Sequence, residues 1–170
     1  MLGDIALRAL QETDVQVVYE VALAAWHFTY KDIYPAEFIN NFVNTNYAPA
    51  SLLRLVPRIQ AGHQFFHVAL AHSSVVGFCH IAETREGMEL LRIYLRPSYI
   101  GKGIGRALLH QGEAFVTARG YSTYFCFVHK ANDLGKNFYI RNGFTHVSDK
   151  DDDEEWYMEK RLGTHEYLGR

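Results

Sequence analysis

The chain has 170 residues, of which 48% are apolar and 21% charged, and a formal net charge of -2. That length suits one domain with a sizeable core, placed at 1–162 with a tail at 163–170. The charge balance excludes the basic footprint of a nucleic-acid binder or of a protein drawn to an anionic membrane. No run of about 18 apolar residues is present, so no membrane span is predicted. The start of the chain carries Asp4 and Arg8 without a long apolar stretch, which predicts no secretory leader. Cys79 and Cys126 lie in separate apolar runs and form no CxxC pair. They read as small buried hydrophobes in a reduced, cytoplasmic compartment. The nine histidines are scattered, with no HExxH or paired cluster, so no metal site is predicted.

Ile5, Leu7 and Ala9 alternate with polar positions and predict a strand. Thr13 with Gln16 has the spacing of a capping box, and Val18, Val21, Ala22 and Ala25 follow at helical intervals. The helix should reach about Phe28 and break across 30–35. Helical stretches over 36–43 and 49–61 come next. Strands are predicted at 63–71 and 75–83, joined by a turn at 72–74, and again at 89–96, ended by Pro97. Gly101–Gly105 is a glycine-rich turn opening a helix to about Arg119, which Gly120 ends. A strand over 124–128 precedes a short helix from Asn132, its N-cap, to Arg141. Asn142-Gly143 stops that helix. Strands at 144–147 and 155–161 close the chain around an acidic loop. The order predicts an α/β (α+β) domain: one sheet with helices on both faces.

The stretch from Glu89 to Leu109 carries the chemistry. A helix N-terminus offers unpaired N–H groups and a positive dipole end, and glycines let a phosphate approach them. The amides of Gly101, Gly103, Ile104, Gly105 and Arg106, with the cations of Lys102 and Arg106, therefore predict a pyrophosphate site. Arg96 and Gly103 break the P-loop pattern, and Arg106 breaks the dinucleotide fingerprint. A plain tight turn into a helix is the alternative.

Ile100–Gly105 resembles the coenzyme A signature of the GNAT acyltransferase superfamily, [QR]-x-x-G-x-[GA]. Ile100 stands where that family has Gln or Arg, which removes a side-chain contact and leaves the amides. Asn132-x-x-Gly135-x-x-Phe138-Tyr139-x-x-Asn142-Gly143-Phe144 resembles its second signature, with Gly135 in place of Ala. Within the superfamily, Trp26–Tyr30, Ile33-Tyr34, Leu90–Leu95 and Phe127–His129 are similar to a microbial subgroup of spermidine/spermine N-acetyltransferases.

The resemblance implies a mixed, mostly antiparallel sheet of about six or seven strands, and acetyl transfer from acetyl-CoA to a small-molecule amine. It implies that backbone groups of Ile93, Tyr94 and Leu95 hold the pantetheine arm on a strand splayed from its neighbour. Tyr139 would protonate the leaving thiolate, with either it or Phe138 facing the site and the other in the core. Asn132 would bond the pantetheine or only cap its helix. Glu89 is the candidate general base, with Glu83 and His80 as alternatives. Cys126 has no activating neighbour in sequence, which favours direct transfer over an acyl-enzyme. Trp26, His27, Tyr30 and Tyr34 are expected to line the acceptor pocket, where ring faces suit a cationic amine; each has the alternative of packing the helices. Glu83 is placed there too. The acidic residues 149 and 151–155 form either a solvated turn or a steering surface for a polycation. Trp156 and Tyr157 would serve either a homodimer contact or the core. A protein acetyltransferase and a non-catalytic acyl-CoA-binding domain are the competing functions.

Overall fold

Strands buried on both faces need helices above and below them, and this chain supplies two such layers. The computed structural model describes residues 3–163; residues 164–170 of the expected tail lie outside them. Seven strands form one sheet in the order β1-β2-β3-β4-β5-β7-β6. They are β1 (Ile5–Ala9), β2 (Phe65–Ala71), β3 (Ser74–Thr84), β4 (Gly87–Leu95), β5 (Thr123–His129), β6 (Thr145–His146) and β7 (Glu155–Arg161). All neighbours are antiparallel except β4 and β5, which are parallel. Among the described residues no helix is long and apolar enough to cross a membrane.

One face carries α1 (Val15–Tyr30), α2 (Ala36–Asn46), α3 (Pro49–Leu53) and α4 (Val56–Gln60). Their apolar stripes, with Val18, Ala22, Ile39 and Leu52, bury Phe66, Val68 and Phe78 of β2 and β3. The other face carries α5 (Ile104–Ala118), whose Ile104, Leu108 and Val116 pack on Phe65, Ile81 and Leu90. The last helix, α6 (Asp133–Arg141), leans Phe138 and Tyr139 against that second core.

Three local expectations are corrected. The first turn is tied by Gln11 and Asp14 instead of Thr13 and Gln16: the Gln11 N–H donates to Asp14 Oδ2 at 2.8 Å, and Arg8 grips both oxygens of the same carboxylate. A carboxylate buried beside an arginine outcompetes an exposed threonine for that end. The helix expected over 49–61 is two, broken at 54–55, because Pro57 has no N–H for the carbonyl of Leu53. β6 keeps only two residues, since Phe144 turns inward against Tyr124 and Tyr139.

Candidate active site

The sheet opens between β4 and β5. Their only paired residues are Glu89 and Phe125, near the start of each strand. Beyond them the strands part, while β4 stays paired with β3 as far as Leu95. A register shift opposite His80 and Ile81 leaves Leu91 of β4 without a partner. Such a bulge bends its strand and raises its twist. The gap-facing edge of β4 therefore has main-chain groups free for a ligand, as an unpaired strand edge does.

The gap leads into a cavity of about 150 Å³ lined by Ile93, Tyr94 and Leu95 of β4, Ile100 and Gly105 of the glycine-rich turn, and Asn132, Phe138 and Tyr139 around α6; Tyr30 closes it from α1. At its mouth the chain enters α5 through two left-handed residues, Gly101 (φ 79°) and Gly103 (φ 84°). The Ala107 N–H is the first in α5 to bond back, to Gly103 O at 3.1 Å. The four preceding amides have no helical acceptor and sit at the positive end of the helix. Lys102 and Arg106 are exposed beside them; the Lys102 ammonium lies 5.1 Å from the Tyr99 ring centre. An anion would meet the free amides and cations at the mouth, and an extended amide chain would meet the open edge of β4, so the residues present fit coenzyme A.

Asn132 both caps and reaches the cavity. Its Oδ1 accepts from the Gly135 N–H at 2.8 Å, and its Nδ2 donates to the Tyr30 hydroxyl at 3.3 Å. Phe138 and Tyr139 both line the cavity, which corrects the expectation that one of them would be core alone. Phe138 is the wall against Gly105 and Tyr139 stacks edge-on with Phe144. Burial raises the Tyr139 phenol well above its usual range, so it stays protonated.

Glu89 stands where the strands part, outside the cavity lining. Burial, then Glu86 and Glu155, push its carboxyl above the usual range. Both thiols are pushed far up, chiefly by burial, which leaves Cys126 a poor nucleophile. His80 is buried, bonded to Gln64 at 2.9 Å and lowered to about 3 by burial and Arg92. It is a neutral core histidine, removed from the base candidates.

Three placements on the acceptor side, those of Trp26, His27 and Glu83, are corrected, and Tyr34 sits at the cavity's edge. Trp26 is core, wedged between Tyr30 and Phe42 at 4.3 and 4.2 Å. His27 points to α2, where its Nε2–H donates to Asn40 at 2.7 Å. Tyr34 lies outside the cavity lining on an aromatic rim, stacked on Phe38 at 4.3 Å. Glu83 is at the far end of β3, held below its usual pKa by the Tyr121 hydroxyl and Arg119. In each case the helix break or the neighbouring strand named a region of the chain, and only the packing partner decides which side chains there face a site. Thr29 and Arg92 also line the cavity. Neither was singled out from sequence, although both lie within the segments that carried the subgroup likeness. Trp156 is sandwiched between His146 (3.8 Å) and Lys136 (4.4 Å), and Tyr157 stacks on Phe125, so both rings are used inside the chain. In the acidic loop, Asp151 binds His146 and the Tyr157 N–H, and Asp152 caps Glu154 and Glu155.

A sheet opened between two parallel strands, with a bare helix N-terminus at the mouth and a half-buried phenol lining the cavity, has the form of an acyl-CoA-dependent transferase. Residues 62–146, half the chain, match the model of the acetyltransferase (GNAT) domain. A curated protein of Thermoplasma acidophilum, spermidine N(1)-acetyltransferase, is 34% identical over 158 residues, 92% of this chain and 97% of its own. The uncharacterized N-acetyltransferase YuaI of Bacillus subtilis is 27% identical over 75% of this chain and 73% of its own. The crystal structure of the PaiA N-acetyltransferase of Thermoplasma acidophilum, in complex with coenzyme A, superposes with a TM-score of 0.89 at 33% identity. It covers 94% of this chain and 99% of that one. The chain belongs to the GNAT acetyltransferase family and is an N-acetyltransferase that uses acetyl-CoA.

Proposed function

We propose that the chain transfers acetyl from acetyl-CoA directly to a primary amine of a polyamine, with Tyr139 as proton donor and Glu89 as proton acceptor. The observation that carries the acceptor class is the near full-length likeness to a protein named for spermidine. The aromatic rings that line the cavity, among them Tyr30, Tyr94 and Phe127, support it.

The free N–H groups of Gly103–Arg106 would hold the pyrophosphate, and the open edge of Ile93–Leu95 would hold the pantetheine amides and polarise the thioester carbonyl. An alkyl ammonium has a pKa near 10.4, about that of lysine, so it must lose a proton before it attacks. Glu89, with its affinity for protons raised, would take that proton directly or through a water. The amine nitrogen then bonds to the carbonyl carbon, and the carbon–sulfur bond breaks. The proton of the Tyr139 hydroxyl goes to the departing sulfur, and the second proton shed by the acylated nitrogen restores that hydroxyl, directly or through a water.

Free-thiol release on a panel of polyamines, aminoglycosides and peptides tests the reading. Turnover should favour polyamines, and no turnover with spermidine or spermine removes it. Tyr139→Phe should lower kcat by about a hundredfold with acetyl-CoA affinity retained; unchanged release at every pH would remove its acid role.

A further inference from the structure

Past the cavity, on the α1 side of the parted strands, one carboxylate has no cation. Glu155 opens β7 directly opposite His129, the last residue of β5. Directly opposed antiparallel residues project from the same face with their Cβ atoms about 5 Å apart. His129 fixes where that face leads. Its ring centre is 5.6 Å from Tyr34 and 6.3 Å from Tyr30, edge-on to both. The ring is anchored, because its Nδ1 accepts the Ala131 N–H at 3.0 Å. Glu155 therefore shares a corner with the aromatic rim, one ring away from the cavity that Tyr30 closes.

Glu155 is half-buried, and among the described residues no lysine, arginine or histidine side-chain nitrogen lies within 4.0 Å of its carboxylate. The neighbouring Lys130 is committed elsewhere, its ammonium donating to the carbonyls of Asp152 (2.7 Å) and Asp153 (3.1 Å). Burial and the charges of Asp152 and Glu154 push the Glu155 carboxyl up. A partly desolvated carboxylate crowded by like charges is costly while alone and gains most from an added cation. The aromatic rings beside it favour an organic ammonium, which can meet a carboxylate and a ring face together.

We infer that Glu155, with Tyr34 and His129, is a second ammonium subsite that selects acceptors carrying two or more amines. The subsite rests on the polyamine reading above and deepens it. One amine enters the cavity beside Tyr30; the next, a short methylene spacer away, sits at Glu155. Glu155 is then a specificity residue and takes no part in bond making.

The test compares kcat/KM for spermidine with that for n-hexylamine, a single-headed acceptor. In Glu155→Gln the spermidine-to-hexylamine ratio should fall about tenfold, and Glu155→Asp should keep most of it. A ratio within twofold of the parent's in Glu155→Gln overturns the subsite while spermidine turnover by the parent upholds the polyamine reading. A parent that acetylates hexylamine and no polyamine overturns both. A ratio lost equally in Glu155→Asp and Glu155→Gln, with lowered melting temperatures, assigns Glu155 a structural role and also overturns the subsite.

Discussion

Replacing Gly105 by alanine should separate coenzyme binding from stability. Gly105 is in the first turn of α5 and on the cavity wall. A Cβ built there comes within 3.0 and 3.1 Å of Phe138 Cε2 and Cζ. Overpacking a core costs about 1–3 kcal/mol, and this clash belongs at the low end, because the Phe138 ring can move into the cavity. Against it stands the gain of about 0.5–1 kcal/mol for alanine over glycine in a helix. The net change should be small, a melting-temperature shift within about 4 °C for a chain of this size. The displaced ring, however, takes space from the roughly 150 Å³ that the coenzyme arm must enter. Acetyl-CoA affinity by calorimetry should weaken at least about tenfold, or 1.4 kcal/mol. Gly112→Ala is the control on the same helix. Its Cβ collides with Ile81 Cδ1 and meets the Phe65 ring at 3.4 Å, away from the cavity. It should lower the melting temperature and leave affinity alone. Acetyl-CoA affinity within twofold of the parent's in Gly105→Ala would refute the placement of the arm beside Phe138.

The Glu89 carboxylate must be ionised to accept a proton, and its pKa is raised by burial, Glu86 and Glu155. The kcat/KM profile should therefore fall on the acid side through a pKa above the ordinary carboxylate value, and Glu86→Gln should move that limb to lower pH. A limb unmoved in Glu86→Gln and still present in Glu89→Gln would exclude Glu89 as the base. Gly135→Ala puts a Cβ 2.6 Å from Asn132 Nδ2, so it should break the Asn132–Tyr30 contact and lower kcat several-fold. Its melting temperature should move by no more than about 4 °C, since helix propensity offsets the strained cap. Cys126→Ala should keep kcat within about twofold, read by free-thiol release, because the buried thiol stays protonated.

The proposed coenzyme half of the candidate site was legible because it is written locally. Gly101, Gly103 and the turn into α5 are consecutive in the chain, and a left-handed φ at two of them is a demand that glycine meets within its own residue. Asn132 and Gly135 likewise find each other three residues apart. The acceptor half is assembled from distant segments: Tyr30 of α1 meets Asn132 before α6, and His129 of β5 meets Tyr34 beyond α1. Helical spacing carried α1 to about Phe28, with Trp26 and His27 in its last turn and Tyr30 in the break, whereas the helix runs through Tyr30. The spacing could not tell that Trp26 would be closed over by Phe42, or His27 claimed by Asn40.

Gly135 shows how the two halves are joined. Helix propensity alone favours alanine there, yet a methyl group would drive into the Asn132 amide and within 3.1 Å of Val128. The glycine lets α6 begin close against β5, and that closeness lets Asn132 cap the helix with one atom and reach Tyr30 with another. Tyr30 then presents one edge to the cavity and another to His129. A local concession in helix stability thus holds the acceptor wall against the coenzyme wall. For that reason, loss of the Asn132–Tyr30 contact should lower turnover more than it lowers acetyl-CoA affinity.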